Sequence, residues 1–375
     1  MRTAILDVGS NAAHLKVVDL VAGCPVRTVV SVKKPTRLGG ALPADGRLGR
    51  AEADRVVAAV AAAIGEAARI GAVELIPFVT SAIRDAPNRE EILDRVAEET
   101  GVEVGFLTGP DEARLTFLAV RAWYGWSVGP IVLADIGGGS MEIATGDGAE
   151  ADAALSMPLG AGRLTREHLT GDPPGRRQLA RLRAHVAERL AAYGVDRLTD
   201  GSAGHHAVAT SKIFTQLAKL AGERAADGRR TLERTALRRR IAGLAALTAE
   251  ERARLKGVSR ARARHILAGA IIADEIMGAL GVRRLEVCPW ALREGIALRR
   301  LRWLEAEAGR ANDIGHLLRP LPADRSRAGT GRGKDEGPAG TSPGGALDVC
   351  TGVRVASRRK AQRGSSRTVV REGDR

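Results

Sequence analysis

Residues 135–142 read Asp-Ile-Gly-Gly-Gly-Ser-Met-Glu and join two short apolar segments that predict the strands of a β-hairpin. Three consecutive glycines allow the backbone to approach a ligand closely, and their N–H groups can converge on phosphate oxygens. The carboxylates of Asp135 and Glu142 are ligands that Mg²⁺ prefers. The pattern predicts a phosphate-binding loop beside a metal, with an ordinary hairpin as the alternative. Its candidate phosphate donors are Gly137, Gly138, Gly139 and Ser140.

A shorter version of the same pattern lies 128 residues earlier, where residues 5–10 read Ile-Leu-Asp-Val-Gly-Ser. Here Ser10 and Asn11 are candidate phosphate donors and Asp7 is the candidate acid. An ordinary turn that tolerates Asn11 stays the alternative for this loop alone. Together the two loops predict a paired phosphate clamp, and their similarity suggests two related domains that face each other.

Two further segments carry candidate catalytic residues. Gly109-Pro-Asp-Glu-Ala-Arg114 opens a helix, and Glu112 on its first turn is a candidate general base that the helix dipole would keep ionised. Arg84 follows the buried-type strand 75–79 in a predicted loop, and its guanidinium matches the geometry of a phosphate. The alternatives are a carboxylate that only stabilises the helix and an arginine that only pairs with a nearby acid. The pair His205-His206 is interpreted as polar loop residues.

Strands and helices alternate in both halves of the chain, which predicts the α/β class. Between residues 175 and 303 the pattern is mostly helical, with one short strand near 285–288. The predicted strands of the first half are 3–9, 15–20, 27–32, 75–79 and 102–107, and its helices are 52–70, one capped by Asn88, and one from Gly109.

The cysteines, the apolar runs and the net charge exclude further classes of protein. The three cysteines of this 375-residue chain are far apart, which predicts neither disulfides nor a zinc site. The sequence shows neither a secretory signal nor an apolar run long enough to span a membrane, so we expect a cytoplasmic protein. The net charge is +14, and residues 310–375 hold 14 Lys/Arg against 7 Asp/Glu. Such a basic balance favours polyanionic partners, and the Pro/Gly/Ser/Arg-rich tail is predicted to be disordered.

Taken together, these segments resemble the exopolyphosphatase/guanosine pentaphosphate phosphatase family over about residues 3–303. The segments that carry the resemblance follow each other in the family's order: 7–11, 80–84, 109–114 and 135–142, with 156–160 and 291–295 in support. Residues 123–126 and 288–292 are similar to the short, actinobacterial-type branch.

The resemblance implies the acetate and sugar kinase/Hsc70/actin fold, with two ribonuclease-H-like domains at 1–124 and 125–305 and a disordered basic tail at 306–375. It implies Glu112 as the catalytic base and Arg84 as the arginine that contacts the attacked phosphate. It implies Mg²⁺, with Mn²⁺ as the alternative, and a homodimer. The implied acids near the metal are Asp135 and Glu142, with Asp7 grouped beside them, and the implied phosphate contacts are Ser10, Asn11, Gly137, Gly138, Gly139 and Ser140.

The implied activity is that of an exopolyphosphatase, a phosphoric anhydride hydrolase that removes terminal phosphate from linear polyphosphate. The sequence departs from the family pattern at Ala12, where a hydroxyl donor is missing, and at Gly201–His205, where a glycine–threonine loop is expected. The absence of a further helical domain after residue 303 favours short chains. The alternatives are a guanosine pentaphosphate 5′-phosphatase, a non-catalytic polyphosphate or alarmone sensor, and a sugar kinase. The tail is expected to be solvated rather than to bind a specific nucleic acid.

Overall fold

The computed structural model describes residues 1–38, 46–199, 204–226 and 228–311. The predicted disordered tail begins at residue 306, but residues 306–311 continue the last helix, so that part of the prediction is wrong. The rest of the tail lies outside the described residues, as do residues 201–203 of the altered loop. Within the described ranges, no helix combines the length and hydropathy needed to cross a bilayer.

The first sheet has the strand order β3-β2-β1-β4-β5. Strand β1 pairs antiparallel with β2 and parallel with β4, so the ends of β1 and β4 point the same way. Its strands are β1 (Arg2–Val8), β2 (Ala12–Asp19), β3 (Arg27–Pro35), β4 (Glu74–Val79) and β5 (Gly105–Phe106). The helices beside them are α1 (Arg50–Arg69), α2 (Ser81–Arg84) and α3 (Arg89–Thr100).

The second sheet has the order β10-β11-β12-β9-β6-β7-β8. Its strands are β6 (Ile131–Ile136), β7 (Met141–Gly146), β8 (Ala153–Met157), β9 (His206–Thr210), β10 (Gly222–Arg224), β11 (Arg230–Glu233) and β12 (Arg284–Val287). Its helices are α5 (Ala161–His168), α6 (Arg176–Ala192), α7 (Ser211–Ala221), α8 (Arg234–Ala245), α9 (Ala249–Arg254) and α10 (Ile266–Ala279). Helix α10 is apolar nearly all round and fills the core of this half.

The two sheets repeat one topology. The run β8-β7-β6-β9-β12 has the same order and the same antiparallel and parallel pairings as β3-β2-β1-β4-β5. Each sheet therefore begins with an antiparallel hairpin and continues with a parallel strand, as in two ribonuclease-H-like domains. The predicted α/β fold of the actin-like class is confirmed.

Helix α4 (Gly109–Tyr124) lies between the sheets. Its Phe117 is buried with Leu133 of the second sheet, whereas Leu115 is buried with Ile5 of the first. The last helix, α11 (Leu292–Ala311), returns to pack on α4 and β1. Its approach to α4 depends on Gly295, where a Cβ would lie 1.8 Å from the carbonyl oxygen of Leu115. The domain boundary at residues 124/125 stays a prediction, although the two sheets fall on either side of it.

Local predictions failed where long-range pairing or a tertiary contact decided the structure. Arg84 ends the short helix α2 rather than lying in a loop. The Asn88 side chain bonds to the backbone of Leu48 instead of capping α3. The predicted strand 102–107 is reduced to the two residues of β5, and His206 begins β9 rather than lying in a loop.

Candidate active site

A cavity of about 740 Å³ lies between the two sheets. That size is within the range of small-molecule sites, about 300–1,000 Å³. The loop after β1, the loop after β6 and the first turn of α4 all contribute to its wall. The predicted site residues that line it are Asp7, Ser10, Asn11, Glu112, Asp135, Gly137, Gly138, Ser140 and Glu142. Arg84 and Gly139 do not line it.

The two predicted phosphate loops touch each other. A Cβ on Gly138 would lie 2.5 Å from Ser10 Oγ, and a Cβ on Gly139 would lie 2.7 Å from Ser81 Oγ. The loop is supported from behind by Gly160, where a Cβ would lie 2.3 Å from the carbonyl carbon of Gly139. Only glycines allow backbones to approach this closely.

The backbone of the second loop leaves donors available for an anion. The N–H of Gly137 donates to the carbonyl of Ser140 at 2.9 Å, and the carbonyl of Gly138 accepts from the N–H of Arg163 at 3.0 Å. Among the residues that the structure describes, the N–H groups of Gly138 and Gly139 have no protein acceptor. These two donors are therefore free to bind phosphate oxygens.

Glu112 lies on the first turn of α4, which Thr108 caps by accepting from the N–H of Asp111 at 3.3 Å. The guanidinium of Arg84 donates to the carboxylate of Glu112 and, at 3.2 Å, to the carbonyl of Leu107. Burial raises the pKa of Glu112 well above its usual range, the nearby Glu142 adds to this, and Arg84 opposes it. Burial therefore shifts the pKa of Glu112 in the direction opposite to the one expected from the helix dipole.

Asp135 and Glu142 lie directly opposite each other on β6 and β7. Burial raises the pKa of Asp135 to about 6 and that of Glu142 to about 7. Asp135 accepts from the hydroxyl of Thr210, and Glu142 accepts from that of Ser156 at 2.9 Å. Like charges in this register destabilise a sheet, so a divalent cation between the two carboxylates would relieve a real repulsion. The donor set fits Mg²⁺, which is usually held by one or two carboxylates together with substrate phosphates.

Asp7 is placed differently from the other two acids. Its carboxylate accepts from the guanidinium of Arg293 at 2.7 Å, and burial raises its pKa. Within the described residues no three His, Cys, Asp or Glu side chains gather into a metal-binding cluster. The structure therefore places Asp135 opposite Glu142, whereas it pairs Asp7 with an arginine.

The turn from β9 into α7 is a feature that the sequence analysis missed. Thr210 lies opposite Asp135 in the parallel β6–β9 pair, and Ser211 follows with a φ of 82°. This left-handed conformation is rare outside glycine and costs about 1–3 kcal/mol, so it is concentrated at functional sites. The signal in the sequence is a short apolar strand followed by Thr-Ser-Lys and a helix, at residues 210–212 instead of the predicted loop position at 201–205.

Lys212 and Arg262, here called the cavity cations, line the same cavity. Within the described residues neither has an acidic partner. Partial desolvation lowers the pKa of Lys212, and the positive charges of Lys33, Arg262 and Arg293 add to this. Burial lowers the pKa of Arg262. Uncompensated cations that repel each other in a cavity predict an anionic ligand.

The pKa of His14 is lowered by burial and by the same positive charges. Its pKa is lowered to about 3, first by burial and then by Arg293, Lys33, Arg262 and Lys212. Its Nδ1 is buried without a hydrogen-bond partner. His14 is therefore neutral at physiological pH and adds no positive charge beside the cavity cations.

Comparison with known proteins shows which family the chain is similar to. The sequence model of the Ppx/GppA phosphatase family matches residues 16–303. Over 345 residues the chain is 46% identical to a protein of Mycobacterium bovis named Exopolyphosphatase 1, covering 89% of this chain and 99% of that protein. The Mycobacterium leprae protein of the same name is 47% identical over 309 residues, covering 80% of this chain and 90% of that protein.

Solved structures show the same fold. An exopolyphosphatase from Cytophaga hutchinsonii superposes with a TM-score of 0.72 at 23% identity, covering 81% of this chain and 98% of that chain. A PPX-GPPA enzyme of Aquifex aeolicus superposes with a TM-score of 0.65 at 25% identity, covering 79% of this chain and 98% of that chain. With the family model matching most of the sequence, this chain belongs to the Ppx/GppA phosphatase family.

Proposed function

We propose that this chain is an exopolyphosphatase that hydrolyses the terminal phosphate of linear inorganic polyphosphate. The observation that carries the proposal is the placement of the cavity cations in one cavity with Glu112 and the glycine loop. The N–H donors of the glycine loop and Glu112 suffice to bind and attack one phosphate. Two further cations without acidic partners favour a ligand that carries several phosphates. The mycobacterial relatives named Exopolyphosphatase 1 support the same substrate.

In the proposed reaction a water oxygen attacks the terminal phosphorus in line with the bridging oxygen. Glu112 orients the water and accepts its proton, and burial raises the pKa of Glu112, which makes its carboxylate a stronger proton acceptor. The new O–P bond forms as the bridging P–O bond breaks, and the shortened chain leaves with the bridging electron pair. The N–H groups of Gly138 and Gly139 hold the oxygens of the transferring group. Such reactions depend mainly on positioning and electrostatics.

The cofactor that we propose is Mg²⁺, with Mn²⁺ as the alternative. Asp135 and Glu142 would hold it, because they lie opposite each other beside the glycine loop, with Glu142 buried and Asp135 half-buried. A divalent cation bound there would neutralise negative charge on the phosphate oxygens. The homodimer and the cytoplasmic location stay predictions of the sequence.

The function is tested by measuring phosphate release from inorganic polyphosphates of increasing length, from triphosphate upwards. We expect release with Mg²⁺ or Mn²⁺ present, loss of release in EDTA, recovery on adding the metal back, and a higher kcat/KM for short chains. Release that is unaffected by EDTA would overturn the metal. No release from any length, with either metal, would overturn the function.

A guanosine pentaphosphate 5′-phosphatase is the second candidate, and one observation favours it. Trp123 lines the cavity on α4, 11 residues after Glu112 and so about 16 Å along the helix axis. Its ring is 44% exposed and packs on Trp290 with the centroids 5.3 Å apart. An exposed aromatic ring can stack on a base, which is worth about 1–3 kcal/mol. Guanosine pentaphosphate therefore belongs in the same assay, and a kcat/KM above that of every polyphosphate would make it the preferred substrate.

Replacing either cavity cation by alanine should weaken binding of polyphosphate more than of triphosphate. Because a hydrogen bond to a charged group is worth about 1.5–3 kcal/mol, we expect Lys212→Ala or Arg262→Ala to raise KM for long chains about 10- to 100-fold. The dependence of KM on salt should also become less steep. Lys256→Ala, at an exposed lysine that does not line the cavity, is the control. Equal KM values for wild type and both variants would exclude these residues from the binding site.

A further inference from the structure

A line of hydrogen bonds crosses from the second sheet to the first at the rim of the cavity. Arg163 on α5 donates from Nε to the carbonyl of Gly139 at 3.0 Å and from Nη2 to Asp85 at 3.2 Å. Asp85 follows α2, and its other carboxylate oxygen accepts from Nε of Arg84 at 2.9 Å. Arg84 then donates to Glu112. One continuous line of hydrogen bonds therefore connects the glycine loop of the second sheet to Glu112, the proposed base, beside the first sheet.

The side chains along this line of hydrogen bonds become more buried towards Glu112, the proposed base. The side chains of Arg163 and Asp85 are 28% and 34% exposed, whereas those of Arg84 and Glu112 are 11% and 9% exposed. Exposed ion pairs contribute only about 0–1 kcal/mol to stability. The outer pair, Arg163 and Asp85, is thus expected to contribute little to stability. It bonds to the buried inner pair, Arg84 and Glu112, whose geometry matters for catalysis.

The arginine geometry explains why the outer pair can control the inner one. Arg84 has acids on two sides, Asp85 at Nε and Glu112 at Nη1, so the plane of its guanidinium is fixed by both. Arg163 uses two different nitrogens to hold Gly139 and Asp85 at once, which a lysine cannot reproduce. Loss of Asp85 would leave Arg84 with one acid, and loss of either Asp85 or Arg163 would break this connection between the glycine loop and the first sheet.

We propose that Asp85 and Arg163 are positioning residues that hold the Arg84–Glu112 ion pair at a fixed position relative to the glycine loop. Neither residue lines the cavity. They act by fixing the distance between the carboxylate that activates water and the N–H groups that hold the phosphate. The expected effect of these residues on kcat rests on the proposed hydrolysis, whereas their expected effect on the structure does not.

The test compares Arg163→Ala, Arg163→Lys, Asp85→Ala and the double variant Asp85→Ala/Arg163→Ala. Small displacements of catalytic groups can cost about 10²-fold, so we expect each single variant to lower kcat about 10- to 100-fold with little change in KM. Because both residues belong to one line of bonds, the double variant should be no slower than the slower single variant. Glu167→Ala, at an exposed residue of α5, is the control. Folded single variants with wild-type kcat, or effects that multiply in the double variant, would overturn the proposal.

Amide hydrogen exchange provides a readout that needs no activity. We expect Arg163→Ala and Asp85→Ala to speed exchange of the hydrogen-bonded amides in two segments, those of Asp111 and Glu112 in the first turn of α4 and that of Gly137 in the loop at 137–140. Unchanged exchange in both segments would overturn the proposal even if the wild-type protein released no phosphate. Lack of release by the wild type together with faster exchange in the variants would reject the proposed hydrolysis and keep the positioning role.

Discussion

Replacing Glu112 by glutamine is expected to lower kcat for phosphate release by about 10²–10⁴-fold, the usual contribution of a general base. Glutamine keeps the shape of the side chain and can still accept a hydrogen bond from Arg84, but it cannot take a proton from water. Arg84 also keeps Asp85 as an acidic partner, so we expect the fold to survive. The measurement is kcat at saturating polyphosphate with Mg²⁺, with a thermal melt of the same preparation.

The matched control is Glu91→Gln, which removes an exposed carboxylate from the first turn of α3. It tests whether loss of an N-terminal helix charge is enough to reduce activity, and we expect kcat to stay within about twofold of wild type, since such a charge is worth only about 0.3–1 kcal/mol of stability. A folded Glu112→Gln protein with wild-type kcat would remove Glu112 from the mechanism.

Replacing Gly160 by alanine is expected to lower both the stability of the protein and kcat. The new Cβ would lie 2.3 Å from the carbonyl carbon of Gly139 and 2.5 Å from the carbonyl carbon and oxygen of Gly138. These are backbone atoms, so the glycine loop itself must move. Overpacking of this kind costs about 1–3 kcal/mol, and displacing the loop donors should reduce kcat at least tenfold, on the order of 1.4 kcal/mol in the barrier.

Gly175→Ala is the matched control for this change. Gly160 and Gly175 both precede a helix as its N-cap, with φ values of −73° and −75°. A Cβ on Gly175 would meet nothing within 4 Å. The two variants therefore share the cost of losing an N-cap glycine and differ in the clash. Equal melting temperatures and equal kcat values for the two variants would show that the loop tolerates the displacement.

The parts of the fold that the sequence predicted are those with strong local patterns. The hairpin around residues 135–142 follows from two apolar segments that flank three glycines, and helix α1 follows from an alanine-rich segment that ends at a glycine. Strands β9, β10 and β11 were not predicted, because they are short and two of them contain mostly polar residues. Their pairing is decided by partners far along the chain, such as β12 for β11.

The candidate site was predictable where it depended on loop chemistry. Ser10, Gly138 and Glu112 line the same cavity, as their separate motifs suggested. The partners of Asp7 and Arg84 were not predictable from local sequence. Arg293 lies 286 residues from Asp7, and the pairing of Arg84 with Glu112 depends on how α2 packs beside α4. The positive φ of Ser211 also left no compositional signal, because glycine usually occupies such a position.

The return of α11 to the first sheet has a consequence for how the chain is made. Ile296 and Leu301 are buried against Ile5 and Phe78, so the N-terminal half lacks part of its own interior until the end of the described chain has been synthesised. Domains generally fold as units during synthesis, N-terminal first. Here residues beyond 301 must leave the ribosome before the first half can reach its final packing around α4, and a nascent chain that stops short of α11 would expose an apolar surface to chaperones.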